Sequence, residues 1–323
     1  IWQGVEVRSE KYCYTMVCWC CFSILCIWWC KAGGLIAVNK SIKCILAVAR
    51  SEYIKWITNP RVIIVPVLLV FMRILAVEPL LTRAAKLGAE LERMEPFVAI
   101  GNSGMLVMLM PCVFLVLISD YPKVTGNTLF FLQRTGRFNW FAGQLVFLMM
   151  TILTYLGVVF GGSLLMTGGD FTGRWSDVVT KYNANFPDEA NSFTARLLPS
   201  NLYNQIPLRV TVIQTLCMMC AYLFLICLII YFFKLKHVQT LGLLVAVFVI
   251  AAGVVTCSLK TDTMWLFPMA NTIIWLHYDT ILNAPKMPVW CSFAYFMIAI
   301  GVMLVLTARA VHRMELFNVE QVE

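Results

Sequence analysis

The sequence predicts an all-α polytopic membrane protein: an amphipathic helix, then six transmembrane helices, with short external helices between the last two spans. Three observations carry this. Of 323 residues, 60% are hydrophobic and 13% charged, whereas soluble domains run at roughly half apolar and a quarter charged. Mean hydropathy is +0.80. Apolar runs recur along the chain at the length of about 20 residues that covers ~30 Å of hydrocarbon. Together they exclude a disordered chain, a nucleic-acid-binding module and an ordinary cytosolic enzyme. The net charge of +8 fits basic loops facing the cytoplasm. Most of the thirteen cysteines fall within apolar runs, where a thiol behaves as a small hydrophobe.

The runs are 12–30, 62–77, 97–118, 140–167, 210–233, 238–259 and 289–308. A further piece, 264–276, is interrupted by Pro268 and is too short to span, so it reads as re-entrant or interfacial. Arg73 lies within run 62–77, and a position near one end lets it snorkel to the headgroups. With the first run set aside, six spans remain. If 40–61 is cytoplasmic, that side carries 12 basic residues in 62 positions against 9 in 90 opposite. This predicts that both ends of the six-span unit are cytoplasmic.

Residues 1–37 differ from the rest, with six of the thirteen Cys and four of the ten Trp. Their thiols lack the spaced loops of a zinc site, and no small-residue cleavage site follows a basic start. Lys31-Ala32-Gly33-Gly34 is what an AGGAGG ribosome-binding site gives in translation, with Val38 as a GTG start. The expectation is that 1–37 is translated upstream sequence; an extra span is the alternative.

From Val38 the order of parts becomes informative. In 40–60, Ile42, Ile45, Leu46, Ala49, Tyr53 and Trp56 recur at helical spacing, with Lys43, Arg50 and Lys55 on other faces. Such a helix, also carrying Glu52, lies in the membrane interface with its Trp and basic residues at headgroup depth. Asn59-Pro60 ends it and Arg61 opens the first span. Between the second and third spans, the polar turn Asp120-Tyr121-Pro122-Lys123-Val124-Thr125-Gly126-Asn127 precedes a short apolar helix. That helix contains Thr128, Leu129, Phe130, Phe131, Leu132, Gln133 and Arg134, and a basic stretch reaching Arg137 follows. Exposed Phe and Leu on a cytoplasmic loop either dock on a partner or lie back on the bilayer or bundle.

This order resembles the permease subunit of a bacterial ABC exporter of the type-two exporter family, from about Val38 to the C-terminus. The resemblance divides the chain into an elbow helix (38–61) and a six-span domain (62–323) with a coupling loop (120–139) and an external loop (168–209). It implies that Thr128, Leu129, Phe130, Phe131, Leu132, Gln133, Arg134 and Arg137 face an ABC ATP-binding subunit. The elbow residues would be Arg50, Glu52, Tyr53, Lys55, Trp56 and Arg61. It further implies a second permease copy or homologous permease, the bacterial cytoplasmic (inner) membrane, and ATP and Mg held by the partner rather than by this chain. The 42-residue external loop 168–209 departs from the pattern.

The remaining chemistry is sparse. The glycine string 168–173 lacks the Gly-Lys-Ser/Thr ending of a phosphate loop, so ATP is expected on another chain. Cys217 and Cys220 share a helical face without further ligands nearby, which reads as packing. His237, His277 and His312 lack metalloprotease spacing, and Asp279 near His277 reads as surface polarity. No span interior holds a carboxylate of the kind ion-coupled carriers use. Gly101-Asn102-Ser103-Gly104, Gly157, Gly161 and Gly162 read as bundle packing, with a substrate path or dimer seam as the alternative. Few internal charges favour lipid, peptide or hydrophobic-drug cargo over ions or sugars. A membrane-embedded enzyme such as an intramembrane protease, or a sensory or structural protein, are the rival classes.

Overall fold

The computed structural model describes residues 35–122, 134–189, 192–279 and 285–313. Among them there is no strand, only an isolated bridge between Tyr278 and Pro285. The elements are helices α1 (Leu35–Ile57), α2 (Pro60–Leu87), α3 (Glu95–Asn102), α4 (Gly104–Ile118) and α5 (Arg137–Thr167). Short helices follow: α6 (Asp177–Thr180), α7 (Tyr182–Asn185), α8 (Phe193–Leu197) and α9 (Ser200–Tyr203). Then come α10 (Leu208–Leu235), α11 (Gln239–Leu259), α12 (Pro268–Thr272) and α13 (Val289–His312). Helices α2, α5, α10, α11 and α13 are each long and apolar enough to cross a membrane. This is an all-α polytopic membrane architecture.

Two predicted spans are corrected. The run 97–118 is not one straight span: α3 and α4 meet at a bend of 81°. Ser103 takes an extended backbone (φ −77°, ψ 123°), and the Asn102 carbonyl accepts from Trp275 Nε1 outside the helix, so the ladder stops there. The first span is longer than 62–77. Its helix continues through Glu78-Pro79 to Leu87, because a π-helical turn (Arg73–Val77) lies where the Pro79 ring would otherwise crowd the preceding turn. Gly88, at φ 67°, ends it in the left-handed conformation that a residue without Cβ adopts readily. Arg73 is therefore the fourteenth of 28 residues, not near an end.

Helix α1 packs along α5. A Cβ on Gly143 would come within 2.8 Å of Val48, so the two helices touch at that point. Tyr53 and Thr154 share a hydrogen bond of 2.9 Å, and Ser41 Oγ donates to Asn139 Oδ1 at 2.7 Å. This rotates the face expected from sequence. Ile45, Val48, Ala49 and Trp56 are buried, whereas Ile42 and Leu46 are exposed. Trp56 is thus enclosed by the bundle. Below it, Val48, Trp140, Phe141, Tyr231, Leu235, Ala310 and Val311 form a separate small core joining α1, α5, α10 and α13.

The segment 264–276 breaks into short pieces as its proline suggests: a 3-10 turn (Asp262–Leu266), α12, and a second 3-10 turn (Ile274–His277). Met269, Ala270, Asn271, Thr272, Ile273 and Ile274 are all buried, so this backbone is enclosed by protein. The loop 168–209 folds as a cap. Arg83 donates to Ser192 Oγ at 2.9 Å and stacks over the Tyr182 ring at 4.4 Å, while Lys86 pairs with Glu189 at 2.6 Å. Glu95 is fully buried and accepts from Ser176 N–H at 2.5 Å and Ser176 Oγ at 2.8 Å.

Candidate coupling face

Of the sequence-predicted residues, Lys55 and Arg61 stand where α1 ends, α2 begins and α4 runs out. Asn59 caps the start of α2 by accepting from Arg61 N–H at 3.1 Å, and Pro60 follows in the first turn, where a missing N–H costs nothing. That turn aims Arg61 across at the end of α4. Its Nη1 donates to Asp120 Oδ2 at 2.8 Å and to Ser119 Oγ at 3.0 Å. Two more elements hold the same corner. Lys234, near the end of α10, donates to the Asp120 carbonyl at 2.5 Å, and Gln239, opening α11, donates to the Ser119 carbonyl at 3.1 Å. Tyr121 is buried, its ring 5.4 Å from that of Phe147 on α5. Lys55, Thr58, Asn59, Pro60, Arg61 and Asp120 line an open hollow here.

The far end of the same loop is tied as well. Arg137 donates to the His312 carbonyl at 3.0 Å, which ties the exit of the loop to the end of α13. Asn139 donates to the Thr135 carbonyl at 2.8 Å while accepting from Ser41. Arg134 is exposed. Thr128, Leu129, Phe130, Phe131, Leu132 and Gln133 lie outside the described residues. Of the elbow residues, Arg50 is exposed, and buried Glu52 pairs with Lys55 at 2.8 Å.

The sequence reading missed a second polar site at the opposite end. Asn102 is fully buried. Its Nδ2 donates to the Val98 carbonyl and to Thr215 Oγ1, both at 3.0 Å, and its Oδ1 accepts from Ile274 N–H at 2.8 Å. Its own carbonyl accepts from Trp275 Nε1 at 2.8 Å. A neighbouring set joins α12 to α13: Ser292 Oγ donates to Asn271 Oδ1 at 2.7 Å and lies 3.4 Å from His277 Nε2. His277 is enclosed, so it is no surface group, and burial pushes its imidazole below the usual range. Ser292 is also fully buried, with its proton spent on Asn271, an arrangement that pins helices rather than attacking a substrate. The signal for Asn102 was present: one Asn-Ser pair interrupting an apolar run.

Fold and sites define the class, an all-α membrane protein whose polar contacts gather at the two ends of its bundle. Comparison with protein-family models, with curated proteins and with solved structures gave no match for this chain.

Proposed function

We propose that this chain is the membrane-spanning permease subunit of an ATP-driven exporter, working in a bacterial cytoplasmic membrane with a separate ABC ATP-binding subunit and a second permease copy or relative. The observation that supports it best is the Arg61–Asp120 ion pair. It fastens the end of the elbow helix to the start of the 120–139 loop, while Lys234 and Gln239 hold the same corner from α10 and α11. A push on that loop is thereby delivered to four helices at once. ATP and Mg would sit on the partner. Its closure would favour one of two bundle arrangements, and cargo would cross by alternating access.

The test is whether an ABC ATP-binding subunit co-expressed with this chain is retained on pull-down. Phe130→Ala with Phe131→Ala is expected to leave the protein folded but to release that partner, since truncating one anchor of a docking hot spot costs about 2 kcal/mol or more. Leu244→Ala with Phe248→Ala, on the exposed side of α11, should retain it. Equal retention by both variants would remove the loop from the docking surface.

A further inference from the structure

Helix α2 carries three arginines, and the chain satisfies two of them. Arg61 is paired with Asp120, and Arg83 is held by Ser192, Asn183 and the ring of Tyr182. Among the described residues, Arg73 makes no ion pair and no side-chain hydrogen bond. It is exposed and opens the π-helical turn Arg73–Val77; such turns recur at functional sites. Twelve residues separate it from Arg61, a rise of about 18 Å. In a hydrocarbon core of about 30 Å, this leaves it roughly 12 Å short of the far boundary. Its Cα–Cβ bond points back toward the helix N-terminus, away from that nearer boundary. An ionised side chain at this depth calls for an anionic partner, which a headgroup drawn inward by local thinning of the bilayer supplies.

Beside Arg73 runs an exposed apolar stripe, Ile63, Val67, Val70 and Ile74, at the spacing of one helix face. We propose that Arg73 and this stripe form a lateral binding site for an anionic membrane amphiphile, with the lipid phosphate on the guanidinium and an acyl chain along the stripe. A planar fork of donors suits phosphate oxygens. The stripe, running toward the helix N-terminus in the direction the side chain leaves, suits a chain attached to that phosphate. A second copy of α2 fits less well. The acid on this helix near Arg73 is Glu78, five residues and about 7.5 Å further on, opposite to the direction in which Arg73 projects.

This inference rests on the membrane placement of α2 and not on the exporter reading, so its test uses neither ATP nor a partner subunit. Purified chain is delipidated in detergent and titrated with phosphatidylglycerol, reading the rise in Tm and the lipid bound by native mass spectrometry. The wild type should bind and gain stability, Arg73→Lys should bind more weakly, and Arg73→Leu should bind about tenfold or more weakly, equivalent to 1.4 kcal/mol or more. Leucine at an exposed position on this apolar surface keeps the fold, which the melt without lipid verifies. Equal lipid binding by Arg73→Leu overturns the proposal. So does an equal rise in Tm with inorganic phosphate alone, which would make the site one for a free anion. Dissociation of a dimer in Arg73→Leu with lipid binding unchanged would assign the guanidinium to a second copy and overturn it as well.

Discussion

Asn102 and Thr215, 113 positions apart in the chain, meet through a hydrogen bond of 3.0 Å inside the bundle, where the Thr215 methyl fills the place a Cβ on Gly101 would need. The same asparagine accepts from Ile274 N–H, so one side chain joins the α3–α4 bend, α10 and the short pieces around α12. Asn102→Ala leaves that buried N–H without its acceptor, a loss of about 1–3 kcal/mol. A thermal melt in detergent should show it. A melt equal to wild type would mean that another acceptor replaces the side chain.

Gly143→Ala should loosen the elbow. The added methyl would sit 2.8 Å from Val48 and 3.0 Å from the Ile45 carbonyl, and the carbonyl cannot rotate away. Overpacking of this kind costs about 1–3 kcal/mol. Faster hydrogen exchange in α1, with α10 unchanged, is the expected signature. Unchanged exchange would show that Val48 alone absorbs the methyl.

Arg83 is the anchor of the external cap. Its removal costs hydrogen bonds to a charged donor, about 1.5–3 kcal/mol, and a ring contact worth about 0.5–2. Arg83→Met should therefore open the cap to trypsin at Lys181 and Arg196 under conditions where the wild type resists. Lysine cannot reproduce the guanidinium fork, so Arg83→Lys should be cut as well. Resistance in both variants would place the cap's stability elsewhere.

Arg61→Ala should separate stability from coupling. Both partners of the Arg61–Asp120 pair are more than a third exposed, so the pair adds less than about 1 kcal/mol to folding. The melt should hardly move, yet under the exporter proposal transport-coupled ATPase activity should fall. Loss of folding and coupling together would mark the pair as purely structural.

The contribution of His277 to stability should fall in acid. Burial lowers the affinity of His277 for a proton, so the unfolded chain binds that proton first as pH drops below the ordinary value of 6.5. The contribution is complete at pH 7.5 and is progressively lost below 6.5. Around the ring stand Trp265, the Met287 carbonyl, and Ser292 with Asn271. Wild type should lose Tm relative to His277→Gln as pH falls from 7.5 to 5. An unchanged slope would assign it to other groups.

The chain declares its class through run lengths alone, because lipid requires long apolar helices whatever their packing. Which face packs is another matter. Ile42 and Leu46 share the spacing of Ile45 and Ala49 yet lie outside, because lipid accepts an apolar side chain as readily as a protein core does. The length of α2 was hidden by Glu78 and Pro79, which end a run of apolar letters without ending the helix. The corner at Arg61 and Asp120 was legible only in its parts. Arg61 and Asp120 were each visible, but their pairing depends on where α4 stops, and that follows from the Asn102 bend. Asn102 and Ser103 stood out as a polar pair in an apolar run, but nothing beside them in sequence named partners more than a hundred positions away.

The bend has a consequence for the bilayer. Helix α4 has 15 residues and rises about 22 Å, some 8 Å less than a typical hydrocarbon core of about 30 Å. Because α3 turns aside by 81°, nothing of that helix makes up the difference. Acyl tails beside α4 should therefore be shortened locally or give way to the enclosed pieces around Asn271, producing a dimple in one leaflet at this corner of the protein. Spin-labelled lipids of graded chain length would then partition there by length, preferring the short.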